Sequence, residues 1–431
     1  MNRRIVFLVL TIIIIVVLPF GAFSQSSITN LTFYSNSLQM NRNVQVYLPE
    51  GYNPQDSVRY PVIYFLHGAF DDHTGWFPML PEVLDSLIGN LIISPVIIVK
   101  PDGSVGPWAG SVYTNSELYG DFEDYIVFDL VAFIDTTYKT FSVRDKRAIW
   151  GLSMGGYGSM KLALKHPDIY CGVAAHSGPL DFAHWTDWVP TILSENGGPP
   201  VSSYIPTVNN IFTYFFYTLS GAFSPNLNNA PYPVDFPLDS LGNFIDSTFN
   251  KWLLHDPARL ASNITSSSDL AIYFDCGMQD ELLLYPFNTG FADSLDVLGL
   301  NYVFLSYEGG HDNKLLQRFP IAISFLDSVM NLATGIFERK INLLSSFILY
   351  QNYPNPFNPI TTIGFQLSAQ SFVSLKVYDI TGREVANLLS ASLLAGSYRY
   401  EWDASDLASG VYLYKLEAGQ YAEVRKMVLM K

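Results

Sequence analysis

The sequence predicts an α/β fold with a mainly parallel central sheet, followed by a small all-β sandwich of the immunoglobulin-like type. Two runs, VIYFL (62–66) and VIIVK (96–100), are apolar at almost every position, which is typical of strands buried between two layers of helices. Segments with helical patterning, such as 124–138 and 285–299, separate runs of this kind. This alternation predicts right-handed crossovers in a parallel sheet.

Further strands are predicted along the same unit. Short apolar runs at 148–150, 172–177, 270–275 and 302–307 resemble the first two. The opening stretch, residues 31–52, alternates polar with apolar residues. We therefore expect an antiparallel hairpin at the edge of the sheet.

Residues 182–262 interrupt the strand–helix alternation. They are rich in aromatic residues, proline and asparagine. An insertion of this size between two core strands is usually functional. We expect a lid or a pocket wall, and a packing excursion without a binding role is the alternative.

The N-terminus has the pattern of a signal peptide over residues 1–24. Arg3 and Arg4 precede an apolar run, 5–18, and small residues follow up to Ser24. The run is too short to span a bilayer. We therefore expect no membrane span after cleavage, and an uncleaved anchor is the alternative.

The character of the sequence changes again near residue 340. Residues 350–365 are dense in proline and asparagine, which mark turns. Short β-rich runs follow to the end of the chain, as in a small β-sandwich. We divide the chain into an α/β unit (25–335), a linker (336–345) and a sandwich (346–431).

The charge of the chain excludes one class of partner. The net charge is −15, which argues against nucleic acid because phosphates require patches of Lys and Arg. Residues 346–431 hold seven basic and seven acidic residues. The acidic excess therefore lies in the α/β unit, where it favours solubility and identifies no partner.

Two cysteines are present in the chain. Cys171 opens one predicted strand and Cys276 closes another. In neighbouring parallel strands these ends lie too far apart for a disulfide. We expect two buried free thiols.

The segment GLSMGGYGS (151–159) places Ser153 between a predicted strand and a predicted helix. G-x-S-x-G at such a junction is the signature of a nucleophile held on a sharp, strained turn. The glycines are needed because side chains would clash across the turn. The helix N-terminus directs free N–H groups towards charge that develops beside the serine.

A serine nucleophile needs a base, and the base needs an orienting acid. Of seven histidines, His311 is the one beyond every plausible acid, and it follows the last predicted strand of the α/β unit. For the acid we assign Asp280, which falls in the loop after strand 270–275, and Glu281 is the main rival. Asp275 lies within that strand and is expected to face a helix layer or a neighbouring strand.

Two backbone N–H groups are expected to stabilise the tetrahedral oxygen. One belongs to Met154, directly after the serine, and the other to Ala69, in the loop after strand 62–66. A metal site in the same loop is disfavoured, because His67 and its acidic neighbours match no established ligand spacing. No metal and no organic cofactor is expected.

Several motifs of the α/β unit resemble one known family. They cover residues 30–330 and read YFLHGAFDDHTGW, VKPDG, FEDYI, GLSMGGYGSMKLAL, CGMQDELL and GGHDN. The family includes feruloyl and acetyl-xylan esterases, S-formylglutathione hydrolase and the mycolyltransferases. The resemblance implies an α/β-hydrolase fold, a triad of Ser153, Asp280 and His311, and the oxyanion pair Ala69 and Met154. Met278 and Gln279 depart from the family pattern.

The C-terminal unit is similar to the sorting domain of the type IX secretion system. The matching segments are NYPNPFNP, LKVYDITGREV, GSYRYEWDA and SGVYLYKL. The similarity implies transit of the outer membrane by the type IX machinery, and release or surface attachment. A carbohydrate-binding module is the alternative for this sandwich.

Together these features predict a secreted serine carboxylesterase. The predicted substrate is an ester, with acetyl or feruloyl groups on carbohydrate as the candidates. The alternatives are an acyltransferase of the mycolyltransferase type and a non-catalytic surface adhesin that retains the fold. Substrate contacts are expected from side chains near the predicted site, and packing without a binding role is the alternative for Trp185 and Trp188. The candidates are His67, Trp76, Tyr113, Trp185 and Trp188.

Overall fold

The structure is a computed structural model, and it describes most of the chain. The described residues are 26–75, 80–264, 269–331, 348–349, 351–352, 354–367, 371–393, 396–419 and 421–431. The predicted signal peptide and linker lie outside these residues.

An eight-stranded sheet forms the centre of the N-terminal unit, in the order β1-β2-β4-β3-β7-β8-β9-β10. Strands β1, β2 and β4 pair antiparallel, and all other neighbours pair in parallel. The predicted edge hairpin and parallel core are therefore confirmed. The strands of this unit, with β5 and β6 as a separate small hairpin, are β1 (Ser27–Ser35), β2 (Met40–Leu48), β3 (Val62–Leu66), β4 (Ile97–Pro101), β5 (Asn115–Ser116), β6 (Gly120–Asp121), β7 (Arg147–Leu152), β8 (Gly172–His176), β9 (Ala271–Gly277) and β10 (Tyr302–Tyr307).

Helices cover both faces of this sheet. Alternate residues of β3 enter different core clusters, with Tyr64 in one and Phe65 in the other. This explains why its sequence is apolar at every position. The α-helices are α1 (Leu80–Gly89), α2 (Phe122–Asp124), α3 (Val131–Thr137), α4 (Met154–Lys165), α5 (Val189–Glu195), α6 (Ile211–Phe223), α7 (Asp246–Trp252), α8 (Pro257–Leu260), α9 (Tyr285–Leu298) and α10 (Leu315–Asn331).

Shorter helical turns complete the unit. A π-helical stretch, Tyr125–Leu130, joins α2 to α3, so the predicted helix at 124–138 is present with an irregular centre. The 3₁₀ turns are Arg144–Lys146, Phe182–Trp188, Leu253–His255 and Ala261–Asn263. In the described part of the chain, every helix is too short or too polar to span a bilayer.

The segment 182–262 folds as helices held together by aromatic rings. Trp185 contacts Trp188 (4.9 Å between ring centroids) and Phe216 (5.6 Å), and Phe216 contacts Trp252 (5.2 Å). Trp185 also packs on Phe287 of α9 at 4.8 Å. Aromatic pairs at these distances add stability beyond the area they bury, so the segment is an integral part of the core.

The C-terminal unit consists of two antiparallel sheets, in the orders β11-β12-β15 and β14-β13-β16-β17. Residues from both sheets share one core, including Phe365, Leu375 and Tyr414. The predicted sandwich is confirmed. Its strands are β11 (Ile348–Leu349), β12 (Ile360–Leu367), β13 (Ser371–Asp379), β14 (Glu384–Leu393), β15 (Gly396–Asp403), β16 (Gly410–Ala418) and β17 (Tyr421–Leu429).

Both cysteines are free and buried, as predicted. Cys171 lies directly before β8 and Cys276 lies near the end of β9. Burial raises the pKa of the Cys171 thiol to about 11, so this thiol stays protonated and inert near neutral pH.

Candidate active site

Ser153 lies on a sharp turn between β7 and α4. Its backbone has φ 57° and ψ −119°, a conformation that costs a non-glycine residue about 1–3 kcal/mol. A Cβ atom on Gly155 would lie 1.9 Å from the Leu66 carbonyl oxygen, and one on Gly151 would lie 2.1 Å from the Gly155 carbonyl oxygen. Only glycine allows the backbones to approach this closely.

The turn is fixed from both sides by backbone hydrogen bonds. The Ser153 N–H donates to the His176 carbonyl at 2.8 Å, and the Tyr157 N–H donates to the Ser153 carbonyl at 2.9 Å. Helix α4 begins at Met154, whose N–H therefore has no partner within the helix. That N–H is available to a negative oxygen beside Ser153.

The loop that carries Ala69 lies across the same opening. Ala69, Ser153 and Met154 all line one pocket. The Phe70 N–H donates to the Ala109 carbonyl at 2.7 Å, which fixes the loop directly after Ala69. The two N–H groups predicted for the oxyanion hole therefore belong to residues at one opening.

His311 and Asp280 are joined by a hydrogen bond. His311 Nδ1 lies 2.8 Å from Asp280 Oδ2, and since a carboxylate oxygen only accepts, Nδ1 carries the proton and Nε2 is left free to accept. The Leu282 N–H donates to Asp280 Oδ1 at 2.9 Å. The rival acid, Glu281, instead accepts the backbone N–H of His311 at 2.8 Å.

The loops of Ser153 and His311 meet through residues 176 and 177. His176 accepts the Ser153 N–H, as described, and the Ser177 hydroxyl donates to the His311 carbonyl at 3.2 Å. No hydrogen bond joins the Ser153 hydroxyl to the His311 ring within the residues described. Serine–base hydrogen bonds are often long in ligand-free sites and shorten when substrate binds.

Ser153 opens into an apolar pocket. Its empty volume, including the open mouth, is ≈ 490 Å³. The segment 182–262 supplies much of its wall, including Trp185, Trp188 and Phe215. Within the described residues, no charged side chain lines it.

The comparisons with known proteins identify a family for each of the two units. Residues 35–315 match the Esterase family, described as Putative esterase. The chain belongs to this esterase family. Residues 351–430 match the Secretion system C-terminal sorting domain. A domain of this kind directs export, so the esterase-family chain has a secreted or cell-surface location.

Relatives of this esterase-family chain match it over parts of their length. An esterase of Mycobacterium tuberculosis is 30% identical over 173 residues, which are 38% of this chain and 37% of the relative. An endo-1,4-beta-xylanase/feruloyl esterase of Xylanibacter ruminicola is 31% identical over 156 residues, which are 34% of this chain and 21% of the relative. The chain thus spans well under half the length of either protein.

A solved structure of a ferulic acid esterase is similar in fold. The two proteins share 21% identity, and the match covers 72% of this chain and 100% of the ferulic acid esterase chain, with a TM-score of 0.52. The likeness confirms the α/β-hydrolase fold predicted for this esterase-family member.

The predicted substrate contacts occupy different places. Trp185 and Trp188 line the pocket, whereas His67 and Tyr113 do not, and Trp76 lies outside the described residues. His67 is buried, donates from Nδ1 to the Gly68 carbonyl (2.8 Å) and accepts the Gly103 N–H at Nε2 (2.9 Å).

Tyr113 supports the same loop. Its hydroxyl donates to the His67 carbonyl at 3.0 Å, and its side chain is fully buried. The interpretation of His67 and Tyr113 as substrate contacts stays a prediction. Their polar groups are already used to hold the backbone that leads to Ala69.

Sequence reasoning missed a buried ionic group beneath the site. Asp275 accepts from His176 Nδ1 at 2.9 Å and from Arg318 Nε at 3.2 Å, and the Tyr273 hydroxyl donates to the same carboxylate at 2.5 Å. Burial raises the pKa of Asp275, but His176 and Arg318 outweigh it and hold that pKa below its usual range. The one signal in the sequence was an acidic residue inside the otherwise apolar run 270–275.

Proposed function

We propose that the chain is a secreted serine carboxylesterase, with Ser153 as nucleophile, His311 as general base and Asp280 as the acid that orients His311. The observation that carries the proposal is the Asp280–His311 hydrogen bond, whose carboxylate is held by the N–H of Leu282, a residue that lines the same apolar pocket as Ser153. The family match and the relatives named as esterases support it.

In the proposed reaction, the Ser153 hydroxyl attacks the ester carbonyl while His311 Nε2 takes its proton. The N–H groups of Ala69 and Met154 hold the oxygen that becomes negative, each contributing roughly 10²–10³ in rate. Protonated His311 then donates to the leaving alcohol, and an acyl group remains on Ser153. Water, deprotonated by the same histidine, releases the acid. Asp280 stabilises the imidazolium in both halves.

The acyl part of the substrate is proposed to be an aryl or alkyl group, because the pocket beside Ser153 is walled by Trp185, Trp188, Phe215 and Leu219. The relatives include a feruloyl esterase joined to a xylanase, and the sorting domain places this chain outside the cell. We therefore propose a carbohydrate-linked ester as the natural substrate, with a feruloyl group ahead of an acetyl group because the wall of the pocket is aromatic.

The test is hydrolysis by the purified chain of p-nitrophenyl acetate and of a panel of acetyl, feruloyl and fatty-acyl esters. We expect turnover in the parent and none above background in Ser153→Ala. Hydrolysis that persists in Ser153→Ala would refute the nucleophile.

Two further arms separate the competing functions. Acyl transfer to an added sugar that exceeds hydrolysis would favour an acyltransferase. A folded parent inactive on every ester would favour the adhesin.

A further inference from the structure

Trp188 connects the pocket wall to the loop of the catalytic acid. Its ring lines the pocket and is 3% exposed. Its indole Nε1 donates a hydrogen bond to the Leu282 carbonyl at 2.8 Å. A buried indole N–H that finds a backbone partner fixes that piece of backbone.

Leu282 also holds the carboxylate of Asp280. The Leu282 N–H donates to Asp280 Oδ1 at 2.9 Å, while Asp280 Oδ2 accepts from His311 Nδ1 at 2.8 Å. Trp188 therefore fixes the peptide on one side of the Leu282 Cα, and Asp280 is bonded to the peptide on the other side. The chain of contacts from pocket wall to imidazole is continuous.

The Trp188 ring, where this series of contacts begins, is held in place by other aromatic rings. The Trp188 ring packs on Phe212 at 4.7 Å and on Trp185 at 4.9 Å between centroids. The acid loop has surface-exposed side chains, with Met278 and Leu283 both about two fifths exposed. A rigid donor on one side and a surface loop on the other make the Trp188–Leu282 bond a determinant of the loop position.

We infer that Trp188 is a positioning residue that aligns Asp280 with His311 through Leu282, and thereby couples the acyl pocket to the proton relay. The inference rests on the proposed function. Trp188 and Leu282 both line the pocket, so an acyl group that fills it packs against both ends of the bond. Acyl groups that reach this wall should then raise kcat as well as lower KM.

The structure offers a matched pair of tryptophans for the test. Trp188→Phe removes the indole N–H and one ring of the wall. Trp185→Phe removes the same atoms from the same wall, but the Trp185 Nε1 has no hydrogen-bond partner among the residues described. The difference between the two variants therefore reports the bond to Leu282.

We expect kcat of Trp188→Phe to be about tenfold below that of Trp185→Phe, with KM values within about twofold, since small displacements of catalytic groups cost up to roughly 10² in rate. The downfield proton resonance of the Asp280–His311 hydrogen bond should broaden or shift in Trp188→Phe only. Equal kcat and equal spectra in the two variants would overturn the inference.

A second variant guards against misfolding. Replacement of Trp188 by benzothienylalanine, which keeps the ring shape but lacks the N–H, should reproduce the loss of kcat and the change in the spectrum. Parental behaviour of this variant would also overturn the inference.

The spectrum does not depend on turnover, so the two proposals fail separately. A parent without esterase activity contradicts the proposed function. An unchanged His311 resonance in the benzothienylalanine variant contradicts the role of Trp188.

Discussion

Replacement of Asp280 by asparagine should nearly abolish catalysis while preserving the shape of the site. The change swaps one carboxylate oxygen for an NH₂ group. If the remaining oxygen faces Leu282, the NH₂ donates to His311 Nδ1, which must then lose its proton. That proton moves to Nε2, which can no longer accept from Ser153. If the amide turns over, the NH₂ opposes the Leu282 N–H, and two donors face each other.

The size of the loss follows from this tautomer argument. In a serine enzyme of another fold the equivalent change lowers kcat by about 10⁴. At about 1.36 kcal/mol per tenfold, this corresponds to about 5 kcal/mol of transition-state stabilisation. Binding should change little, because Asp280 is not among the residues that line the pocket.

Steady-state hydrolysis of a p-nitrophenyl ester measures this effect, and Glu281→Gln is the matched control. The described hydrogen bond between Glu281 and His311 is donated by the His311 backbone N–H. A glutamine oxygen accepts this bond equally well. We expect Glu281→Gln to stay within about tenfold of the parent. A kcat for Asp280→Asn above a tenth of the parental value, or an equal loss in Glu281→Gln, would refute the assignment of the acid.

Three further predictions concern the scaffold of the site. Burial lowers the pKa of His67 to about 4. The free energy of unfolding should therefore fall as pH drops from about 6.5 towards 4, because the unfolded chain takes up the proton first. Urea titrations at each pH should show that the free energy of unfolding depends less steeply on pH in His67→Gln. Glu123→Gln leaves the buried Lys161 without its carboxylate partner, at 3.1 Å in the parent, and should lower the free energy of unfolding by about 3–5 kcal/mol. Gly155→Ala should lower kcat at least about 100-fold, since its Cβ would meet the Leu66 carbonyl.

Each of these predictions has its own control. Parallel pH slopes for parent and His67→Gln would contradict the first. For the second, Glu117 is exposed, and the free energy of unfolding of Glu117→Gln should stay within about 0.5 kcal/mol of the parental value. An equally small effect of Glu123→Gln would contradict the role of the buried ion pair. For the third, a Cβ on Gly89 meets open space, so a Gly155→Ala enzyme as active as Gly89→Ala would contradict the steric argument.

The sequence was sufficient for features that depend on local pattern. The turn at Ser153 follows from glycine spacing between a strand and a helix, and both flanking elements are present where the pattern placed them. The parallel core followed from runs apolar on both faces. These features are readable because the residues that cause them are neighbours in the chain.

Features that depend on distant partners were less accessible. Asp280 and Glu281 are adjacent in the chain, so their positions alone do not distinguish them. In the fold, Asp280 contacts the imidazole ring of His311, whereas Glu281 contacts the backbone N–H of the same residue. Two of the buried partners of Asp275, His176 and Arg318, are 99 and 43 positions away. The hydrogen bond from the Gly103 N–H to His67 Nε2 was equally inaccessible, because the two residues are 36 positions apart.

The identity of the residue that becomes covalently modified tests the proposed reaction most directly. The full chain should be treated with a fluorophosphonate, digested, and its peptides mapped by mass spectrometry. We expect one adduct, on Ser153, together with loss of ester hydrolysis, and no adduct in Ser153→Ala. An active parent that is modified elsewhere, or that hydrolyses esters with Ser153 unmodified, would contradict it.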